Sequence, residues 1–203
     1  MPTLVRDTLE LPPPPTPPRK RWSREECAQL ATSGLLEKER LELINGELIS
    51  KMGKNRPHAN AFRLMLVWLQ ETFGNQFVDP EAPIDVAPND NDLNEPEPDL
   101  LVLNRPCDTF TSANPQPQDV SLLVEIADTS LNFDRTVKAA LYARAGINEY
   151  WIVDVAGRRL FCHRNPDAGR YSSLVVYSED ELIAPLAAPD KEFSASQVLP
   201  RSA

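Results

Sequence analysis

Two short apolar runs bracket a helix-spaced segment between Leu122 and Asp154, and that pattern leaves few folds open. Leu122-Leu123-Val124 runs into a single carboxylate, Glu125. A polar break follows from Ala127 to Asn132, then a segment with helical spacing that ends at Gly146. Tyr150 to Val153 forms the second apolar run and closes on Asp154. Such a sequence of elements predicts a strand–helix–strand unit with parallel strands, joined by a right-handed crossover. The first strand is then covered on both faces, and Glu125 sits near its carboxyl end. A carboxylate at such a place costs free energy unless something compensates it.

The intervening helix offers one compensation. Asp134, Lys138 and Tyr142 recur every fourth residue and share a face. Val137, Leu141 and Ala145 occupy a neighbouring face and are expected to pack on the sheet. Lys138 therefore stands on a rigid element from which its ammonium can reach Glu125. The competing reading is an Asp134–Lys138 surface ion pair, worth only a few tenths of a kcal/mol.

At 203 residues the chain suits one domain with a full core. Residues 1–21 contain PPPPTPP and are expected to form an extended proline-rich tail; residues 22–203 form the domain. The 30 acidic residues outnumber the 21 basic ones, which argues against a general nucleic-acid coat protein. The excess still allows an enzyme that holds cations in a carboxylate cluster. Cys27, Cys107 and Cys162 show no CxxC spacing, so neither a zinc site nor a disulfide framework is indicated. A reducing cytoplasm fits. No apolar run approaches membrane-spanning length, and no signal-peptide core opens the chain, so no membrane role is expected.

Elsewhere, Ser23 and Glu26 form a capping box before a short helix through about Leu30. Asn45-Gly46 marks a hairpin between Arg40–Ile44 and Glu47–Met52. In its first strand Glu42 shares a face with Ile44, an odd partner for a solvent-facing acid. Pro57 opens a helix whose apolar positions Phe62, Met65, Leu66, Leu69 and Phe73 run to Gly74. His58, in its first turn, is a candidate neighbour of a site. Short strands are expected at Phe77-Val78 and Ile84 to Val86, and a loop from Pro88 to Pro98. Asp99 leads into a buried strand, Leu100 to Leu103. Arg158–Arg164 and Tyr171–Tyr177 read as a hairpin with a turn over Asn165–Arg170. The stretch from Ser178 onward is expected to pack at an edge. Lys51, Lys54 and Arg56 are candidates for a local positive face.

Three acids thus stand out, Glu42, Asp99 and Glu125, with one amine, Lys138. The strands that carry Asp99 and Glu125 are consecutive and expected to be adjacent. Two carboxylates brought together repel, and a hard divalent cation such as magnesium relieves that cost. A lysine beside them can orient or deprotonate a water, or steady charge on a phosphate.

Pro98-Asp99, the strand with Glu125, the Asp134…Lys138…Tyr142-Ala143-Arg144-Ala145-Gly146-Ile147 segment and Glu149-Tyr150-Trp151-Ile152-Val153-Asp154 resemble the Uma-two family of restriction endonucleases. Glu42-Leu43-Ile44-Asn45-Gly46-Glu47 resembles that family's opening hairpin. The likeness runs from about Trp22 to Phe193. It implies the PD-(D/E)XK nuclease fold, an α/β chain whose mixed β-sheet core is flanked by helices. It also implies a phosphodiesterase site that uses Mg²⁺ or Mn²⁺. On the matching positions, Asp99 is the motif aspartate and Glu125 the second acid. The motif lysine is expected two residues past Glu125, where this chain has Ala127; Lys138 on the following helix takes its place. Glu42 matches the acid of the first hairpin.

The function that follows is hydrolysis of DNA by a metal-activated water. Asp99 and Glu125, with the main-chain carbonyl of Ile126, hold the metal; Lys138 positions water or the transition state, and Glu42 assists. DNA is then the partner, and a homodimer is conceivable by analogy with such nucleases. The alternative is a catalytically silent binding module that kept the fold. A decayed site should have lost one of Glu42, Asp99, Glu125 or Lys138, and the chain has all four.

Overall fold

The computed structural model describes residues 17–36, 39–51 and 55–199. Lys54, one of the candidates for a positive face, and most of the proline tail lie outside them.

Helix α1 (Arg24–Thr32) begins on the expected capping box, with Ser23 and Glu26 each bonding the other's backbone N–H. The hairpin of β1 (Leu41–Ile44) and β2 (Glu47–Ser50) turns at Asn45 and Gly46, whose φ angles of 51° and 77° are the pair of left-handed conformations that an Asn-Gly turn supplies. Arg21 clasps the turn by donating to the Asn45 carbonyl. Asn55 caps α2 (Arg56–Phe73), Pro57 lies in its first turn, and Gly74 ends it.

A six-stranded sheet follows, with spatial order β3 (Val78–Pro80), β4 (Leu100–Leu103), β5 (Val120–Ala127), β6 (Glu149–Asp154), β7 (Arg159–Asp167) and β8 (Arg170–Ser178). Only β5 and β6 are parallel, so the sheet is mixed. The single parallel pair is the strand–helix–strand unit that the apolar spacing predicts.

Both faces of the sheet are covered, which is why β5 reads as an almost unbroken apolar run. Leu122, Val124 and Ile126 face α2 and pack with Ala61, Met65 and Leu69. Leu123 and Ala127 face the other way, onto Ala139 and Tyr142 of the crossover helix. Glu125 shares this second face.

The crossover helix differs from a plain helix. It consists of α4 (Leu131–Phe133), a π-helical stretch at Asp134–Lys138, and α5 (Ala139–Arg144). In an α-helix each fourth residue over-rotates by about 40°. The wider π turn offsets that drift, so Asp134, Lys138 and Tyr142 stay in register on the buried side. All three are buried, which rules out the competing reading of a surface ion pair. Of the Val137, Leu141 and Ala145 face, Ala145 also packs on the sheet-side cluster, but the face as a whole is turned elsewhere, not onto the sheet as expected. It packs on Ile44, Ile49 and Val86, and so pins the β1–β2 hairpin to the helix.

Other departures are local. Ile84 and Val86 are buried, but the segment is not a strand, because its main chain bonds the Pro96 and Pro115 loop segments instead of a sheet neighbour. The loop after Pro88 begins with a short helix, α3 (Pro88–Asn91). The β7–β8 turn is tighter than expected: Ala168 and Gly169 take φ of 46° and 78°, and the strands pair up to Asp167–Arg170. The segment after Ser178 adds a two-stranded ribbon, β9 (Leu182–Ile183) with β10 (Phe193–Ser194), whose Ile183 and Phe193 join the α2-side core. No helix among the described residues is long and apolar enough to cross a membrane.

Candidate active site

The site forms where β4 begins and β5 ends, at the junction of three elements. The antiparallel register pairs Leu100 with Val124; one step further, Asp99 stands beside Glu125. The main-chain N–H of Asp99 points at Glu125 Oε2 at 3.4 Å, and Asp99 Oδ2 accepts the N–H of Ile126 at 2.8 Å. Extended backbone sends the N–H and C=O of one residue to the same side, so the Ile126 carbonyl is also directed toward Asp99. From the hairpin, Glu42 arrives with its Oε2 accepting the N–H of Glu97 at 3.2 Å.

Lys138 closes the set from the π turn. Its Nζ lies 2.8 Å from Glu42 Oε1 and 2.9 Å from Glu125 Oε1. Tyr142, one turn on, donates its hydroxyl to the same Glu125 oxygen at 3.2 Å. All four residues singled out in the sequence therefore meet, and Lys138 reaches the strand end from the helix despite Ala127 standing two residues past Glu125.

Charge does not balance inside this cluster. Glu42, Asp99, Glu125 and Asp134 are buried carboxylates, and Lys138 is the one buried lysine among them. Burial drives the Glu125 carboxyl up to about 8, with the charges of Asp134, Asp99 and Glu42 adding to it against the pull of Lys138. Burial likewise lifts Asp134 to about 6, although Lys138 and a 2.6 Å bond from the Ser130 hydroxyl oppose it. Burial would raise Asp99 too, but His58, the Ile126 N–H and Lys138 outweigh it and hold it below the ordinary carboxylate range. Burial would discharge Lys138; the surrounding carboxylates keep it a firm ammonium. The cluster is short of positive charge, and that shortage pushes Glu125 toward its protonated form.

A divalent cation is the other way to supply that charge. Among the described residues no three His, Cys, Asp or Glu side chains converge as a ready ligand set, and Lys138 already engages one oxygen each of Glu42 and Glu125. The donors that fit are therefore few: Asp99, Glu125 Oε2, which meets only the long Asp99 N–H contact, and the Ile126 carbonyl, all oxygens. That is the habit of magnesium, which takes one or two carboxylates and keeps several waters.

The cluster's four carboxylates line a cleft of about 120 Å³, together with Arg40, Lys51, His58, Asp128 and Ser130, while Lys138 lies behind them. Two features there were less legible. His58 lies with Nε2 3.5 Å from Asp99 Oδ2, and its buried Nδ1 has no hydrogen-bond partner. Asp134 contributes charge to the cluster and not to the surface; its place on the Lys138 face was the available signal. Lys51, expected on a positive face, instead bonds the Glu97 carbonyl at 2.8 Å and pairs with its carboxylate at 3.3 Å. Arg56 is exposed at the start of α2, and Arg40 pairs with Glu81 at the mouth.

Comparison with known proteins bears on the family and the fold. The family model Uma2, described as "Putative restriction endonuclease", matches residues 24–196. A solved structure described as a putative nuclease belonging to DUF820, from Anabaena variabilis, superposes with a TM-score of 0.61. It is 14% identical in sequence, and the match covers 79% of this chain and 90% of that one. The likeness to that structure is one of fold. Among curated proteins none matches the chain.

Proposed function

We propose, from the premise that this chain belongs to the Uma2 family, that it is a DNA endonuclease dependent on Mg²⁺ or Mn²⁺. The observation that carries the reading is that Glu42, Asp99 and Glu125 together line a solvent-open cleft, with Lys138 bridging Glu42 and Glu125 from behind them. A purely structural ion pair has no need of a second, unneutralised acid at its side.

Asp99, Glu125 and the Ile126 carbonyl would hold the cation. When bound, it would activate a water for attack on a phosphodiester and neutralise charge on the phosphate. The remaining roles belong to the chain. Lys138 stays an ammonium, so it acts as a donor: it orients the attacking water or stabilises charge on the non-bridging phosphate oxygens. Glu42 anchors Lys138 from the far side and stops it from folding wholly onto Glu125. Tyr142 fixes the Glu125 carboxyl on its inner oxygen and leaves the outer one toward the cleft. The Ile126 N–H fixes Asp99 in the same way.

Calorimetric titration of magnesium and manganese into the wild type and Asp99→Ala tests the reading, followed by a cleavage screen on single- and double-stranded DNA. Saturable binding lost in the variant, with metal-dependent cleavage, is the expected result. Cleavage that persists in EDTA, or in Glu125→Ala, overturns it.

A further inference from the structure

The sheet ends on β8, and nothing among the described residues pairs with its outer edge. Natural edge strands are blunted with lysine, proline, bulges or a covering element, because an open row of N–H and C=O groups invites another strand. Between Tyr171 and Tyr177 β8 has none of these devices: it reads Ser-Ser-Leu-Val-Val, unbroken and in register with β7. Its centre is apolar on both faces and open to solvent, with Leu174, Val175 and Val176 each more than two-fifths exposed. These three stand out against a chain with 51 acidic and basic residues elsewhere available to cover such a strip.

The charges at the ends of the strand say what pairs with it. Arg170 opens β8 and is exposed; Asp180 lies just beyond its close and is also exposed. Neither has an ion-pair partner among the described residues. A strand with a positive start and a negative finish complements itself when run antiparallel. Two centres can be compared. About Leu174, Val175 and Val176 each fall opposite a serine. About Val175, Val175 meets its own copy and Leu174 meets Val176 on the same face twice over; at both ends Arg170 lies close to the turn after Ser178, which carries Asp180. The second register satisfies every exposed apolar residue at once, and cross-strand apolar and opposite-charge pairs are what stabilise such a ladder.

We propose that two copies of this chain join through β8, antiparallel and centred on Val175, so that their two sheets become one twelve-stranded sheet. A two-fold axis perpendicular to the sheet relates the copies, as self-complementary contact requires. A single added strand pair buries less than a large obligate interface, so the dimer dissociates measurably on dilution. Leu182 and Leu186, exposed in the segment just after β8, extend the apolar surface beyond the strand. This interface lies three strands from Glu125 and does not depend on the reaction proposed above.

The test is sedimentation equilibrium of the full chain over a dilution series. The wild type is expected to show a monomer–dimer equilibrium, with Val175→Lys weakening it at least about tenfold at an unchanged circular dichroism spectrum and melting curve. Charge reversal gives the decisive arm. Arg170→Asp and Asp180→Arg should each be monomeric alone, because like charges then meet at both ends. An equimolar mixture should recover a heterodimer with affinity close to the wild type. A wild type that stays monomeric throughout overturns the proposal. So does a dimer that ignores Val175→Lys, or a mixture that remains monomeric.

Discussion

Lys138 and Glu125 stand thirteen residues apart in the chain and 2.9 Å apart in space, both almost wholly buried. Removing one partner of a buried pair leaves an uncompensated charge, typically at a cost of about 3–5 kcal/mol. Here the cost has an outlet, because Glu125 readily takes a proton. Lys138→Met should therefore lose about 3 kcal/mol at pH 8 and clearly less at pH 6. Millimolar manganese should restore part of the loss at pH 8, since a cation can occupy the place of the ammonium among the same oxygens. Thermal melts of wild type and variant, with and without manganese, read this directly. Equal destabilisation at both pH values and no rescue would make the pair structural only.

Asp99→Asn separates ligand chemistry from folding. The amide oxygen can still accept the Ile126 N–H, so the melting temperature should stay within a few degrees of wild type. Metal affinity should drop by more than the roughly 10–100-fold that loss of a mere supporting partner costs, and cleavage should fall with it. Calorimetry and a cleavage assay on the same preparation check both halves. Unchanged manganese affinity would remove Asp99 from the ligand set.

The fold was legible where periodicity and turn chemistry agree. Asn45-Gly46, the Ser23–Glu26 box and the apolar runs at Leu100 and Leu122 each carry a local cause, so their elements appear as expected. The site was legible because a carboxylate inside an apolar run is costly and must have company. What escaped was the helix surface that meets the sheet. Spacing alone ranks Val137, Leu141 and Ala145 as the core face, and they are indeed a core face, but toward Ile44 and Val86. The sheet instead receives the polar face, since Glu125 on β5 needs Lys138 and Tyr142. A π turn that keeps three polar residues in line has no sequence signal of its own. His58 was legible only as a candidate neighbour: it is the packing of α2 over the start of β4 that brings it to Asp99.

Glu149 offers a contrast that distinguishes a structural acid from a site acid. It is fully buried on β6, next to the strand of Glu125. Its oxygens accept from Arg164 Nε at 2.8 Å, Trp151 Nε1 at 2.9 Å and the Leu186 N–H at 2.7 Å. Both oxygens have donors within the fold, and the residue faces away from the cleft. Glu149→Ala strands Arg164 and leaves buried donors unsatisfied, so it should cost about 3–5 kcal/mol. At about 2–4 °C per kcal/mol for a chain of this size, the melting point should fall by roughly 10 °C. Activity per folded molecule, measured well below that temperature, should stay within about twofold of wild type. Loss of cleavage in a well-folded Glu149→Ala protein would show that the site extends across the sheet.

The pH dependence of stability follows from the same charge deficit. Glu125 moves from an ordinary 4.5 to about 8 on folding, so between those values the folded state binds more protons than the unfolded chain. Stability from this group is complete below its unfolded value and is lost as pH rises through the folded one. Asp134 behaves alike but over a lower range, ending near 6. His163 works in the opposite sense. Burial lowers it from 6.5 to about 4, so stability falls as pH drops through that interval. The downward shift of Asp99 acts only in more acid solution, and the upward shift of Lys138 only in more alkaline solution. That leaves pH 6.5 to 8 as the window in which Glu125 acts nearly alone. In EDTA the melting temperature should decline across it, with a slope of up to about 1.4 kcal/mol per pH unit. Glu125→Gln, neutral at every pH, should flatten the decline. Manganese should flatten it as well, because a bound cation favours the carboxylate and its affinity climbs as the proton leaves. A wild-type melting temperature that rises from pH 6.5 to 8 in EDTA would mean that Lys138 alone suffices to ionise Glu125, and the electrostatic case for a metal at this site would fall with it.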